Sequence, residues 1–317
     1  MQAIRRQLDE MEEEQCIRLA KYILLKVYSE MEYADFERAA SEAVSAEVRY
    51  LLRVLGRFGE KRDEWRAVVL AMLLLHRNNR FSDESLLVGL ACAERLMWCS
   101  MLCKWTLKKR RERWLQVLHE LGCVRGSTYA LLRSRTSIVQ RPPALDLDAE
   151  EKAAALAALD GPVYKELTKA ATRQLLMRLN EFVLKASGST YVLYEEDKSA
   201  PLTVEHVLPQ VAADPEGGRE AAVGEWGAFG PKEERVRWVN RLANLVLLSG
   251  KTNSQAGKLA FQEKKERYFK PNKVMAKSFT NIPLTDMMMH AEEWTPAVLE
   301  DRQQSLLGLA KNCWQLY

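Results

Sequence analysis

The chain of 317 residues is long enough for about two domains, and its 47% hydrophobic and 28% charged residues are typical of a globular protein. Its longest unbroken apolar run, Ala67–Leu75, is far shorter than the roughly 18 residues that span a bilayer, so we expect neither a transmembrane helix nor a membrane partner. The polar N-terminal segment lacks a signal-peptide core, and the six cysteines contain no C-x-x-C pair, which indicates a reducing, cytoplasmic setting. The net charge of +4 is too small to indicate a class of partner.

The first half of the sequence has the pattern of a helical bundle. Over residues 1–135 apolar side chains recur at three- and four-residue steps and no proline occurs, which predicts several helices that pack together. Ser82-Asp83-Glu84 carries the short acceptor side chains of a helix start, and Pro142-Pro143 marks a linker at 135–148. Further helices are predicted at 150–159 and 164–185.

The pattern changes after Gly188. Short β-prone runs predict strands at 191–194, 203–208 and 245–248, and a polar helix is predicted from about Asn253 to Tyr268. The order strand, long loop, strand, helix describes a small β-β-α unit.

The side chains of this unit suit the hydrolysis of a phosphodiester. Glu205 can bind a hard divalent ion, while the neighbouring His206, whose ordinary pKa is about 6.5, can act as a base near neutral pH. Oxygen ligands from glutamate and asparagine suit Mg²⁺ or Mn²⁺ better than zinc. In a one-metal mechanism the ion stabilises the leaving oxygen and the histidine deprotonates the attacking water.

Four segments resemble a known nuclease family: TVEHVLPQ at 203–210, RLANLVLL at 241–248, Asn253, and FQEKK at 261–265. They are similar to the HNH, or His-Me finger, nuclease domain of the type found at the C-terminus of GmrSD-type modification-dependent restriction endonucleases. The nine-residue step from Asn244 to Asn253 is the step seen in many HNH enzymes.

The resemblance implies a catalytic group of three positions. His206 would be the general base, and Asn244 would hold the His206 loop in place by hydrogen bonding. Lys264 or its neighbour Lys265 would steady phosphate, with one of the two lysines near phosphate and the other solvated.

The resemblance also implies one divalent ion, Mg²⁺ or Mn²⁺. Asn253 would be a metal ligand, and Glu205 would be the second. Ser249 and Thr252 stand where zinc-stapled relatives have cysteines, so we expect no structural zinc.

The implied fold class is mainly α, with a helical domain at 1–140 and an α+β nuclease domain at 150–317 built on a ββα-metal (His-Me finger) core. The implied function is a metal-dependent DNA endonuclease, the effector part of a modification-dependent or anti-phage defence system that acts on modified or phage DNA. The family's N-terminal sensor or nucleotide-binding domain has no counterpart in this sequence, so we expect it as a partner domain or subunit. The alternative is a non-catalytic DNA-binding or assembly subunit with a nuclease-like fold.

Two basic segments are candidates for contacts with the DNA backbone. One is Lys104–Arg113, and the other is 251–277, which holds eight basic and two acidic residues. The alternative for each is a solvated helix face. In a continuous helix from Asn253, Lys258 and Lys265 would nearly share a face, and Phe261 would pack inward.

One pair of cysteines is close in sequence. Cys99 and Cys103 fall on one helix face in a helical region. Their spacing fits no metal-ligand rule, so we interpret them as packing residues.

Overall fold

The computed structural model describes residues 45–58, 62–77, 79–121, 141–188, 202–210, 226–230, 232–269 and 282–317. These residues fall into two compact units. The first takes 45–56, 62–90, 111–121 and 141–144, and the second takes 57–58, 91–110 and the described residues from Leu145 onward. The long part of the second unit begins at Leu145, and that unit also includes Ala91–Arg110, whereas the domains predicted from the sequence are 1–140 and 150–317. The strand predicted at 191–194 lies outside the described residues.

Helices form the described part of the first unit, as the apolar periodicity predicts. They are α1 (Ala46–Gly56), α2 (Trp65–Arg77), the first part of α3 (Asp83–Leu102) and most of α4 (Leu107–Glu120). The predicted start of α3 is confirmed, because the Ser82 hydroxyl accepts a hydrogen bond from the Ser85 N–H at 3.1 Å. Gly89 of α3 lets α2 approach closely, since a Cβ there would lie 3.0 Å from the Met72 sulfur.

One helix of the described residues, α3, is long and apolar enough to cross a membrane by length and composition. The protein interior buries 83% of its most apolar window, and core helices of globular proteins pass the same test. Glu94 and Arg95 divide α3 into shorter apolar runs, so the length of its unbroken runs does not indicate a membrane span.

Three helices begin the long part of the second unit. They are α5 (Ala149–Asp160), α6 (Val163–Glu166) and α7 (Lys169–Ala186). Asp148 and Glu151 make a capping box at the start of α5. The single helix predicted at 164–185 is two helices, because the Thr168 side chain accepts from the Ala171 N–H and starts α7.

The described strands, β1 (Leu202–His206) and β2 (Leu245–Ser249), pair antiparallel, with His206 opposite Leu245. Both strand predictions are confirmed. Between them lie α8 (Lys232–Val239) and a 3₁₀ turn, Leu242–Asn244. Four helices follow: α9 (Gly250–Ala256), α10 (Phe261–Tyr268), α11 (Pro283–Asp286) and α12 (Pro296–Trp314).

The prediction of one continuous helix from Asn253 to Tyr268 is wrong, because two separate helices cover this segment. Gly257 has φ +44°, a left-handed conformation that ends α9, and α10 begins only at Phe261. Lys258 therefore lies exposed in the connection, and its seven-residue spacing from Lys265 does not define a shared helix face.

The second unit has an apolar core beneath the sheet. The buried side chains of this core come from β2, from the segment that follows β1, from the elements between the strands and from the later helices. They include Val207, Leu208, Trp226, Phe229, Trp238, Val246, Leu248, Phe261, Trp294 and Leu299. The predicted inward packing of Phe261 is confirmed, and its ring stacks on Trp294 at 5.2 Å. The described chain is mainly helical with one small sheet, as the predicted mainly α class requires.

Candidate functional site

His206 lies at the end of β1 and is 9% exposed. The Tyr164 ring of α6 packs edge-on against the imidazole, with ring centroids 4.3 Å apart. Burial lowers the pKa of His206 to about 4, although a hydrogen bond with the Asn240 side chain acts in the opposite direction. The imidazole is therefore neutral at neutral pH. Its Nε2 atom is buried and has no hydrogen-bond partner in the part of the chain that the structure describes.

Asn244 fastens the chain just beyond His206. The side chain is fully buried at the head of β2 and bonds Leu208 twice: its Oδ1 accepts from the Leu208 N–H at 2.7 Å, and its Nδ2 donates to the Leu208 carbonyl at 3.0 Å. The same amide donates to the Val239 carbonyl at 2.9 Å. These bonds fix the backbone that carries the imidazole.

Glu205 points away from His206, as alternation along a strand requires, into a buried polar cluster with α10. One oxygen, Oε1, accepts from the Lys264 ammonium at 2.6 Å and from the Tyr268 hydroxyl at 3.0 Å. Burial raises the pKa of Glu205, lowers the pKa of Lys264, and outweighs the attraction between the two groups in each case. Burial, and then the charge of Glu205, raise the pKa of Tyr268, so its hydroxyl stays a donor.

The ammonium groups of both lysines in the FQEKK segment form hydrogen bonds within the protein. Lys264 is 0% exposed, and its ammonium also donates to the His206 carbonyl at 2.8 Å. Lys265 is half-buried and donates to the Ala291 carbonyl at 2.6 Å. The phosphate contact predicted for Lys264 therefore has no support in this geometry, because no solvent reaches its side chain. Lys264 instead supports Glu205 and the His206 backbone.

Asn253 ties α9 to the first strand. Its Nδ2 donates to the Thr203 hydroxyl at 2.9 Å and to the Val204 carbonyl at 3.1 Å. Its Oδ1 is the atom that suits a metal ion.

The predicted metal ligands do not form a ready-made site. Glu205, the acidic member of the pair, has Oε1 bound to two donors, one of them the Lys264 cation. Within the described ranges, no group of three or more His, Cys, Asp or Glu side chains is placed to hold a metal ion. The side chains as arranged do not fit the predicted ion, since a second cation near Lys264 would be repelled.

Comparison with known proteins places this site in a family. Residues 153–309 match the family model for the C-terminal domain of GmrSD restriction endonucleases. This part of the chain belongs to that family. No curated protein and no solved structure matches the chain.

The C-terminal part of the GmrSD C-terminal domain also forms hydrogen bonds with the turn that carries Asn244. The Trp294 indole donates to Asn244 Oδ1 at 3.1 Å, and Arg302 donates to the Ala243 carbonyl at 3.0 Å. Gln303 accepts from the Ala243 N–H at 2.9 Å. The segment from Trp294 into α12 thus fixes the turn that presents Asn244.

Sequence reasoning missed three residues of the GmrSD C-terminal domain that surround the site. Tyr164 covers the imidazole, and its N–H donates to the Asn240 carbonyl at 3.1 Å. No sequence pattern links Tyr164 or Asn240 to His206. Tyr268 had a signal, because it lies one helical turn after Lys264 and so faces the same carboxylate.

Proposed function

We propose that this chain is a DNA endonuclease of the HNH type that hydrolyses phosphodiester bonds, with His206 as general base. The observation that carries the proposal is the neutral imidazole at the end of β1. Its buried Nε2 has no hydrogen-bond partner among the described residues, and Asn244 fixes its backbone. The family supports an endonuclease role and DNA as the substrate. The order β1, β2, α9, with Asn253 tying the helix to the first strand, supports a ββα His-Me finger core.

The chain's own residues divide the work as follows. His206 accepts the proton of the attacking water on Nε2, a step worth about 10²–10⁴-fold in rate. Asn244 and Lys264 hold the backbone at His206 and just beyond it, through Leu208 and the His206 carbonyl. Because Nε2 is closed off from solvent, neighbouring side chains must move when DNA binds, and Tyr164 is the aromatic cover over the ring.

A divalent ion, Mg²⁺ or Mn²⁺, remains part of the proposal through the family resemblance. Asn253 is the ligand the geometry allows, whereas Glu205 in its present position is a support for His206. When bound, the ion would supply the charge that stabilises the leaving oxygen, so cleavage is expected to need it. We include no structural zinc in the proposal.

A plasmid assay tests this proposal. The full chain is incubated with supercoiled DNA, modified and unmodified, in Mg²⁺, in Mn²⁺ and in EDTA. We expect nicked or linear product with either ion and none in EDTA. Zinc-dependent cutting would contradict the metal assignment, and cutting in EDTA would remove the metal from the mechanism.

The second candidate function is a non-catalytic DNA-binding or assembly subunit. The engagement of Glu205 by the Lys264 cation favours it, because this carboxylate is then not free to bind a metal ion. DNA binding in a gel-shift assay without cleavage of either plasmid under any of these conditions would support this alternative and overturn the endonuclease proposal.

The wider setting follows from the family. The matched region is the C-terminal domain of restriction endonucleases, so we propose a cytoplasmic effector in defence against modified or phage DNA. Recognition of the DNA would then depend on a sensor or nucleotide-binding partner, because contacts with the DNA backbone carry little sequence information.

A further inference from the structure

Two thiols meet at the end of α3. The sulfur atoms of Cys99 and Cys103 are 3.9 Å apart. Cys99 is buried, whereas Cys103 is half-buried and so open to small solutes. The Cys103 N–H donates to the Cys99 carbonyl at 2.9 Å, which makes the step between them one helical turn.

The surroundings favour a thiolate on Cys103. The hydrogen bond with the Cys99 thiol lowers the pKa of Cys103, and the positive charge of Lys109 acts in the same direction against burial. The same contact with Cys103, followed by burial, raises the pKa of Cys99, so Cys99 keeps its proton. Lys109 is held nearby, with its ammonium 3.9 Å from the Trp105 ring centroid and 3.6 Å from Glu151 Oε1. Thiolate character and access are what make a cysteine reactive.

We propose that Cys99 and Cys103 form a peroxide-reactive dithiol that closes to an intramolecular disulfide. The Cys103 thiolate attacks one oxygen of hydrogen peroxide, the O–O bond breaks, and the products are a Cys103 sulfenic acid and hydroxide. The Cys99 sulfur then attacks the Cys103 sulfur. The S–O bond breaks, the Cys99 proton leaves with the oxygen as water, and the two thiols have lost two electrons to the peroxide.

The backbone geometry permits the bond. One helical turn separates the two Cα atoms by about 6 Å, inside the usual range for disulfides. Cys103 lies just beyond the last residue of α3, and Lys104 has a left-handed conformation with φ +51°. The Cys103 side chain is therefore at the C-terminus of the helix and not in its interior. This inference concerns a separate part of the second unit and does not depend on the proposed nuclease activity.

Two other described cysteines provide the comparison. Burial raises the pKa of Cys313, and Cys92 is buried with its sulfur 3.4 Å from the Arg95 guanidinium. No second cysteine sulfur contacts either of them among the described residues.

The test is peroxide oxidation of the full folded chain, followed by alkylation and peptide mapping of each cysteine. We expect the Cys99 and Cys103 peptides to become linked with the loss of two hydrogens, and the bond to be released by a dithiol reductant. The Cys103 thiol should disappear at least about tenfold faster than the Cys313 thiol.

Three variants sharpen the test. Cys99→Ser should leave a Cys103 sulfenic acid that a dimedone probe traps, Cys103→Ser should abolish linkage, and Cys313→Ser should change neither result. Circular dichroism checks that each variant is folded. The proposal is overturned if Cys99 and Cys103 stay alkylatable while Cys313 oxidises, or if Cys103 instead links to a second chain.

Discussion

Among the four histidines of the chain, His206 differs from the three others in its burial and its aromatic neighbour. His119 and His290 are exposed, and His76 contacts the Asp83 carboxylate at 2.5 Å. His206 is buried, covered by an aromatic ring and kept neutral. A neutral imidazole whose Nε2 has no hydrogen-bond partner among the described residues is costly to bury, so its place at the end of β1 indicates a function.

The buried imidazole should make stability fall in acid. Since the folded pKa of His206 is about 4 and its ordinary pKa is about 6.5, its contribution is complete above pH 6.5 and is lost as pH falls through 4. The loss should approach about 3 kcal/mol. Urea unfolding of the protein and of His206→Gln across this range measures it. Parallel pH profiles for the two proteins would show that folding does not change the pKa of His206, and would contradict its burial as a neutral group.

At the scale of elements, α10 supports β1 through one buried ion pair. Lys264 and Tyr268 lie one turn apart and both bind Glu205, which fixes the strand just before the imidazole. Removing one member of a buried pair leaves the other charge without compensation.

Lys264→Met should therefore destabilise the protein by about 3–5 kcal/mol. Lys265→Met, the control on the same helix, loses a hydrogen bond to one carbonyl and should cost about 1 kcal/mol. Adding Glu205→Gln to Lys264→Met should recover part of the loss. Denaturant titrations measure all three. Equal costs for the two lysine variants would mean that the Glu205 pair does not hold α10 to the strand.

The short helix α6 matters because Tyr164 covers His206. Tyr164→Ala should open the imidazole and speed its modification by diethylpyrocarbonate severalfold, whereas Tyr164→Phe keeps the ring and should leave the rate unchanged. Mass mapping of the modified histidine separates His206 from the exposed His119 and His290. An unchanged rate in the alanine variant would show that other side chains close the site.

Helices and strands could be predicted where the apolar residues of the segment itself follow a regular spacing. Alternating and periodic apolar residues predicted both strands and the helices of the first half, and the EHVLPQ and NLVLL segments located the site. The break at Gly257 was missed because a glycine inside a helical pattern is often tolerated. The engagement of Glu205 by Lys264, and the cover by Tyr164, are long-range contacts that depend on how helices dock on the sheet, which spacing does not encode.

At the scale of the whole molecule, contacts with the DNA backbone have to come from exposed cations. Lys264 is buried, Lys104 is paired with Glu166, and Lys109 is close to Glu151. Lys251 lies in the first turn of α9, Lys258 follows that helix, and both are exposed, so they are the better candidates beside the proposed site.

Replacing Lys251 and Lys258 together by glutamine should weaken DNA binding similarly for all sequences and reduce the salt slope by about two units. Lys169→Gln removes an exposed charge on α7 and serves as the control. Fluorescence anisotropy over a salt series gives both slopes. If affinity and slope stay as they were, this surface does not contact DNA and the Lys104–Arg113 segment becomes the better candidate.

The central claim is that His206 is the base of an endonuclease in the GmrSD C-terminal domain. The direct measurement is the single-turnover rate of plasmid cleavage by the protein, by His206→Ala and by His290→Ala, an exposed histidine in the same domain. The account predicts a loss of about 10²–10⁴-fold or more for His206→Ala, with binding of DNA retained and His290→Ala near the parent rate. Cleavage near the parent rate by a folded His206→Ala protein would contradict it.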